Sequence, residues 1–177
     1  MPRYNNYAYI DGANLHYTYE NIEWNLDYKK LLTYLQKKLG VGVAHYFIGK
    51  TPNNEDIYNK LGSHGYNIKL KEPSPYDTKE EMCPYCNKVI KPSEKRYKAD
   101  VDSFITLQVM SDIRDFDKAV LITSDGDYDE LVKRLMNQDK LKMVFAPCKE
   151  GCSWLLKSVT RGRIDFIDNY RSELEKE

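Results

Sequence analysis

The sequence predicts an α/β protein with a central parallel sheet covered on both faces by helices. Three observations predict it. Short apolar stretches alternate along the chain with segments that repeat Leu, Ile or Val at helical spacing. One stretch, Ala119-Val120-Leu121-Ile122, is wholly apolar, as a strand buried on both faces must be. The 177 residues, 41% hydrophobic and 31% charged, suffice for one domain with its own core.

The first strand is Tyr7 to Ile10, stopped by Asp11-Gly12-Ala13-Asn14. Asp27 is placed to cap a helix in which Leu31, Leu32, Leu35 and Leu39 recur, and Gly40 ends it. Val41 to Ile48 reads as a second strand, Asn54 to His64 as a helix stopped by Gly65, and the alternating Tyr66 to Lys71 as a third strand. The pattern then breaks. Residues 73–98 hold Pro73, Pro75, Pro84 and Pro92, two cysteines and many lysines, and read as an insertion into a single domain spanning 1–177. A helix follows from Ala99 to Met110, then the fourth strand, the turn Ser124-Asp125-Gly126-Asp127 and a helix from Tyr128 to Asn137. Lys142 to Ala146 is a fifth strand. A short helix near Trp154, a strand at Ile164 to Ile167 and a charged helix complete the order. The insertion and Ser172 to Glu177 look the most dispensable.

Composition narrows the function. Lys plus Arg and Asp plus Glu are both 27, so the net charge is zero, which argues against a protein that coats nucleic acid by bulk attraction. A local basic path remains compatible. No apolar run nears membrane-spanning length, and the first residues lack the apolar core of a signal peptide, so a cytoplasmic protein without membrane contact is expected. There is no Gly-rich phosphate loop and no Ser-His-Asp or Cys-His setting.

The chemistry is concentrated in acidic residues. Strands of a parallel sheet end at one edge, where ligands bind at the reversal of strand order. Asp11 ends the first strand, Asp125 and Asp127 end the fourth, and Asp100 and Asp102 open the preceding helix. With a strand order of 3-2-1-4-5, Asp11 faces Asp125. Packed carboxylates repel, and a divalent cation relieves the repulsion. Such an ion can activate water and stabilise charge on a phosphate. Taken singly, Asp127 reads as a turn cap and Asp102 equally well as a surface helix residue. The specificity lies in the set of Asp11, Asn14, Asp100, Asp125 and Asp127.

Ile10-Asp11-Gly12-Ala13-Asn14-Leu15, Lys98-Ala99-Asp100-Val101-Asp102 and Ile122-Thr123-Ser124-Asp125-Gly126-Asp127-Tyr128 together resemble the motifs of the NYN domain, a branch of the PIN-like nuclease superfamily. The likeness runs from about Tyr7 to Ile167. It implies a three-layer α/β/α fold, an acidic pocket for Mg²⁺ or Mn²⁺ and cleavage of RNA. By position, Asp11, Asp100, Asp125 and Asp127 resemble the acidic quartet, and Asn14 the polar partner that orients water or substrate. Asp102, Ser124 and Lys98 are secondary candidates. Ser124 stands where the family usually has Gly. Some relatives act as RNA-binding or regulatory modules, so a non-catalytic module is the alternative to a ribonuclease. A phosphatase or a DNA-directed nuclease would use similar metal chemistry.

Cys83-Pro84-Tyr85-Cys86 has the spacing of a zinc knuckle, and Cys148 and Cys152 form a looser pair. In a reducing compartment such pairs suggest metal more than disulfides. The four thiolates are expected to close one structural Zn²⁺ site that clamps the insertion beside the acidic edge. Lys88, Lys91, Lys95 and Arg96 in the insertion, with Arg161 and Arg163 after Cys152, are the candidate RNA phosphate contacts, and exposed Tyr85, Tyr97 or Trp154 are candidate stacking faces.

Overall fold

Strand order is where the predicted and observed architectures meet. The computed structural model describes residues 5–20, 23–51, 54–86 and 88–177. In chain order the elements are β1 (Asn6–Asp11), α1 (Gly12–Glu20), α2 (Tyr28–Leu39), β2 (Val41–Gly49), α3 (Glu55–His64), β3 (Asn67–Lys71), β4 (Ser74–Asp77), β5 (Glu81–Met82), β6 (Val89–Lys91), β7 (Lys95–Lys98), α4 (Asp102–Ser111), β8 (Ala119–Ile122), α5 (Asp129–Asn137), β9 (Leu141–Ala146), α6 (Trp154–Val159), β10 (Ile164–Phe166) and α7 (Arg171–Leu174). Single 3₁₀ turns lie at Gly126–Tyr128 and Ile167–Tyr170.

The central sheet has the order β10-β9-β8-β1-β2-β3, and its neighbours all pair in parallel. With the insertion set aside, this is the order 3-2-1-4-5 extended by a sixth strand. Successive side chains of a strand face opposite ways, and both faces here are buried. Ala8 and Ile10 of β1, with Val120 and Ile122 of β8, pack against Leu31, Leu32 and Leu35 of α2 and Leu61 of α3. Tyr9, Ala119 and Leu121 face the other way, against Ile105 and Val109 of α4, Leu131, Val132 and Leu135 of α5 and Leu156 of α6. Two cores sandwich one sheet, which makes three layers. Each fully buried Leu contributes roughly 1.5–3 kcal/mol.

Local signals behave as chemistry requires. The Asp27 carboxylate accepts from the backbone N–H groups of Lys29 and Lys30 at 2.8 and 3.0 Å. Gly40 ends α2 at φ 65°, a left-handed position that costs other residues energy.

Three sequence expectations need correction. Residues 12–20 form a helix, α1, where the sequence reading only stops the first strand and names no element. The aromatic residues Tyr17 and Tyr19 masked its periodicity, and the helix starts one residue after the strand. The insertion, read only as a break in the pattern, is two hairpins, β4 paired with β7 and β5 paired with β6. The last residues are not dispensable: Leu174 is buried in the first core, and its carbonyl accepts from the Asp27 N–H at 2.8 Å.

Candidate metal centre and nucleic-acid interface

The carboxylates reach one edge because β1 and β8 are neighbours, with Ile10 opposite Ile122. The next residues, Asp11 and Thr123, leave the sheet side by side. The chain then needs close approaches that only glycine permits. A Cβ on Gly12 would lie 2.6 Å from the Phe47 carbonyl oxygen, and one on Gly126 would lie 2.5 Å from Ser153 Oγ. Gly12 lets α1 start against β2, and Gly126 lets the β8 turn lie against the start of α6.

Asp102, Asp125 and Asp127 each place a carboxylate oxygen within 4.8 Å of the others, the one such acidic or thiolate group among the described residues. Asp102 is the first residue of α4. Asp125 ends the β8 loop, and its carboxylate accepts the Asp127 N–H at 3.0 Å. Asp125, and not Asp127, is therefore the cap of the 3₁₀ turn, which leaves Asp127 exposed. Asp11 lies behind them, 4% exposed, and its Oδ1 accepts the Asn14 N–H at 3.0 Å. Burial pushes the Asp11 carboxyl up to about 6, against the pull of the Asn14 N–H; the charges of Asp102 and Asp125 push it further up. Burial also raises the Asp102 carboxyl, opposed by the Tyr128 hydroxyl and reinforced by the charges of Asp100 and Asp125.

Asp100 differs from its expected place. It is exposed on the rim, and its carboxylate accepts the Asp102 N–H at 3.3 Å. The side chain that joins Asp125 and Asp127 is Asp102. Residues two apart at a helix entrance point differently, and the motif alone does not say which points inward.

Neighbouring polar groups fix the site. Ser124 donates twice to Asn14 Oδ1, from its N–H at 3.0 Å and its hydroxyl at 2.9 Å. That pair ties α1 to the β8 turn and consumes the Asn14 oxygen, so its NH₂ is the end left for a ligand. Ser where the family usually has Gly thus adds a donor. Tyr128 is buried, and its hydroxyl donates to Asp102 Oδ1 at 2.7 Å. Sequence reasoning missed Tyr128; its place just after Gly126-Asp127 was the available signal. An open cavity of about 480 Å³ lies at this edge, lined by Asn14, Ser124, Asp125, Asp127, Ser153 and Leu155 among others.

The carboxylate set suits a hard divalent cation. Among the described residues no Lys or Arg lies within 4.0 Å of Asp11, Asp102, Asp125 or Asp127; Lys98 reaches only Asp100, at 4.0 Å. No described cation pairs with this cluster, and oxygen-only ligands match Mg²⁺ or Mn²⁺.

The basic residues divide. β7 runs straight into Asp100, so the insertion stands beside the acidic edge. There Lys91 pairs with Glu81 at 2.9 Å and Arg96 with Glu94 at 3.4 Å. Lys88 and Lys95 are exposed and carry no ion pair among the described residues. Arg161 and Arg163 are not at this edge. They precede β10, and Arg163 binds Asp139 at 3.2 Å and the Leu141 carbonyl at 2.8 Å, at the start of β9. In a parallel sheet the starts of strands lie opposite their ends, so Arg163 closes the far side of the sheet. Tyr85 is 95% exposed and Trp154 78%.

The four cysteines do not meet. No three of them bring their sulfurs within 4.8 Å. Cys83 and Cys86 sit on the exposed insertion, while Cys148 and Cys152 are buried after β9.

A three-layer sheet with carboxylates converging where strand order reverses defines the class: a PIN-like, nuclease-type α/β fold. The chain belongs to the NYN domain family, whose model matches residues 7–165. It is 22% identical over 172 residues to the Low amplitude and bright protein LabA of Synechococcus elongatus, covering 95% of this chain and 86% of that protein. Its fold matches the crystal structure of a protein of unknown function from Vibrio parahaemolyticus with a TM-score of 0.71, 22% identity and 99% coverage of both chains. No helix among the described residues is long and apolar enough to cross a membrane.

Proposed function

We propose that the chain is a divalent-metal-dependent endoribonuclease acting in the cytoplasm. The observation that carries this reading is the convergence of Asp102 with Asp125 and Asp127, which line an open cavity, with Asp11 behind them and no lysine or arginine among the described residues within 4.0 Å. Clustered carboxylates repel a phosphate, so a surface built only to bind RNA gains nothing from them.

Asp102, Asp125 and Asp127 would hold Mg²⁺ or Mn²⁺, with Asp11 adding charge from behind. When bound, the ion supplies phosphate charge neutralisation and activation of water for hydrolysis. Asn14, with its oxygen held by Ser124, offers its NH₂ to a phosphate oxygen or to water. Tyr128 keeps Asp102 oriented. Lys88 and Lys95 attract the RNA backbone, and Tyr85, Tyr97 or Trp154 stack on unpaired bases.

The test is cleavage of labelled single-stranded RNA with Mg²⁺, Mn²⁺ or chelator, comparing wild type with Asp102→Asn/Asp125→Asn. Metal-dependent cutting lost in the variant is the expected result. Tight binding without metal-dependent cutting would overturn catalysis and establish the non-catalytic RNA-binding module instead. Matched DNA and phosphomonoester substrates separate ribonuclease from the related activities.

A further inference from the structure

The acidic edge does not account for the insertion. Among the described residues of 73–98 none is buried, and only Pro73, Thr78 and Cys83 are even half-covered. An isolated two-stranded hairpin is marginal in water, and here two hairpins share no core. Their outer faces present Tyr76, Met82, Tyr85, Val89, Ile90 and Tyr97 to solvent.

At the tip of the β5–β6 hairpin, Cys83 and Cys86 lie side by side. The Cys83 N–H donates to the Lys88 carbonyl at 2.8 Å and closes the turn. Cys83 and Cys86 bracket that turn at the exposed end of the hairpin. Cysteine binds metal as thiolate, and the Cys-x-x-Cys spacing puts two such ligands on one turn.

This turn offers two ligands. A structural zinc site closes with four, arranged as a tetrahedron. No third Cys, His or carboxylate among the described residues comes within 4.8 Å of the pair. Cys148 and Cys152 are buried in the body of the fold, after β9. A tetrahedron has a two-fold axis through its centre, and that axis maps one pair of ligands onto the other. Two copies of one chain meet by the same symmetry operator.

We propose that the Cys83-Pro84-Tyr85-Cys86 turn is half of a zinc site which a second copy of this chain completes with the same two cysteines. One Zn²⁺ then joins two insertions, and their exposed apolar side chains are covered against each other. The site does not depend on the nuclease reading, and its test does not use RNA.

The experiment loads the full chain with zinc alone, removes excess metal, and measures zinc content together with mass by light scattering on a sizing column. The expected result is half a zinc per chain in a dimer. Chelator, or Cys83→Ser with Cys86→Ser, gives a zinc-free monomer with unchanged far-UV circular dichroism, because both residues lie outside the two cores. A zinc-bound monomer at any stoichiometry overturns the proposal, and loss of that zinc in Cys148→Ala/Cys152→Ala would place the site within one chain. No zinc retained, or a dimer that survives in the Cys83→Ser/Cys86→Ser variant, also overturns it.

Discussion

The acidic edge and the insertion are neighbours in the fold, joined by β7 and Asp100, yet they are built in opposite ways. At the edge, the candidate side chains stand where β1 and β8 end and α1 and α4 begin, and each is held by a hydrogen bond: Asp11 by the Asn14 N–H, Asn14 by Ser124, and Asp102 by Tyr128. In the insertion no described residue is buried, and the contacts are backbone pairing and surface ion pairs, each worth about 1 kcal/mol or less. A site that must hold several like charges within 4.8 Å needs a rigid frame, because each carboxylate would otherwise swing out to water. A surface that tracks a flexible polymer or meets a second copy needs reach more than rigidity.

The largest expected effect falls on the edge. Asp102→Asn with Asp125→Asn should reduce metal-dependent RNA cleavage by about 1,000-fold, around 4 kcal/mol of transition-state stabilisation. Far-UV circular dichroism should not change. Residual cleavage near the wild-type rate would show that the edge is not the catalytic centre.

The next effect runs in the opposite direction for stability. The folded Asp11 carboxyl sits near 6, against an ordinary 3.8, so the folded state holds a proton that the unfolded state releases between about pH 4 and pH 6. Stability of the metal-free protein should therefore fall as pH rises through that window and level off above it, by up to about 3 kcal/mol. Asp11→Asn keeps an oxygen for the Asn14 N–H and removes the charge. Its melting temperature in chelator should exceed wild type at pH 7.5 and match it at pH 4. Adding Mn²⁺ should stabilise wild type by about 2.7 kcal/mol at a hundred times its dissociation constant, and the variant less. Equal melting curves at pH 7.5 would mean that Asp11 bears no strain.

Tyr128→Phe removes the hydroxyl that orients Asp102 while keeping the buried ring. Metal affinity, read by calorimetry, should weaken about tenfold. Ser124→Ala removes one of two donors to Asn14 and should cost about 1 kcal/mol in urea unfolding. The smallest effect belongs to the insertion: Tyr97→Ala should shift global stability by less than about 0.5 kcal/mol. A large loss there would mean the insertion packs on the body of the fold, against its exposure.

Much of the frame was legible because it follows from short-range rules. Helix caps at Asp27 and Gly40 and the apolar run Ala119 to Ile122 each declare themselves locally. The helix α1 escaped because its aromatic residues carry no clear helical stripe, and the nested hairpins escaped because prolines disguised them as loop. The placing of Asp11 and Asp125 on one edge required only alternation and a strand order. The exchange of Asp102 for Asp100 was not legible, since it depends on the angle at which α4 leaves the β7 connection. Arg163 looked like part of a basic group by sequence proximity to Cys152. A crossover through α6 carries it to the opposite side of the sheet.

By itself, the sequence determined the layers, the succession of the central strands and the end of each element at which the carboxylates stand, because hydrophobic periodicity and turn chemistry act over a few residues. The tertiary structure alone decided which carboxylates converge, which lysines remain unpaired and that the four cysteines fall into two separate pairs. Those outcomes depend on distances between residues more than a hundred positions apart in some cases, such as Asn14 and Ser124, and no local pattern encodes such distances.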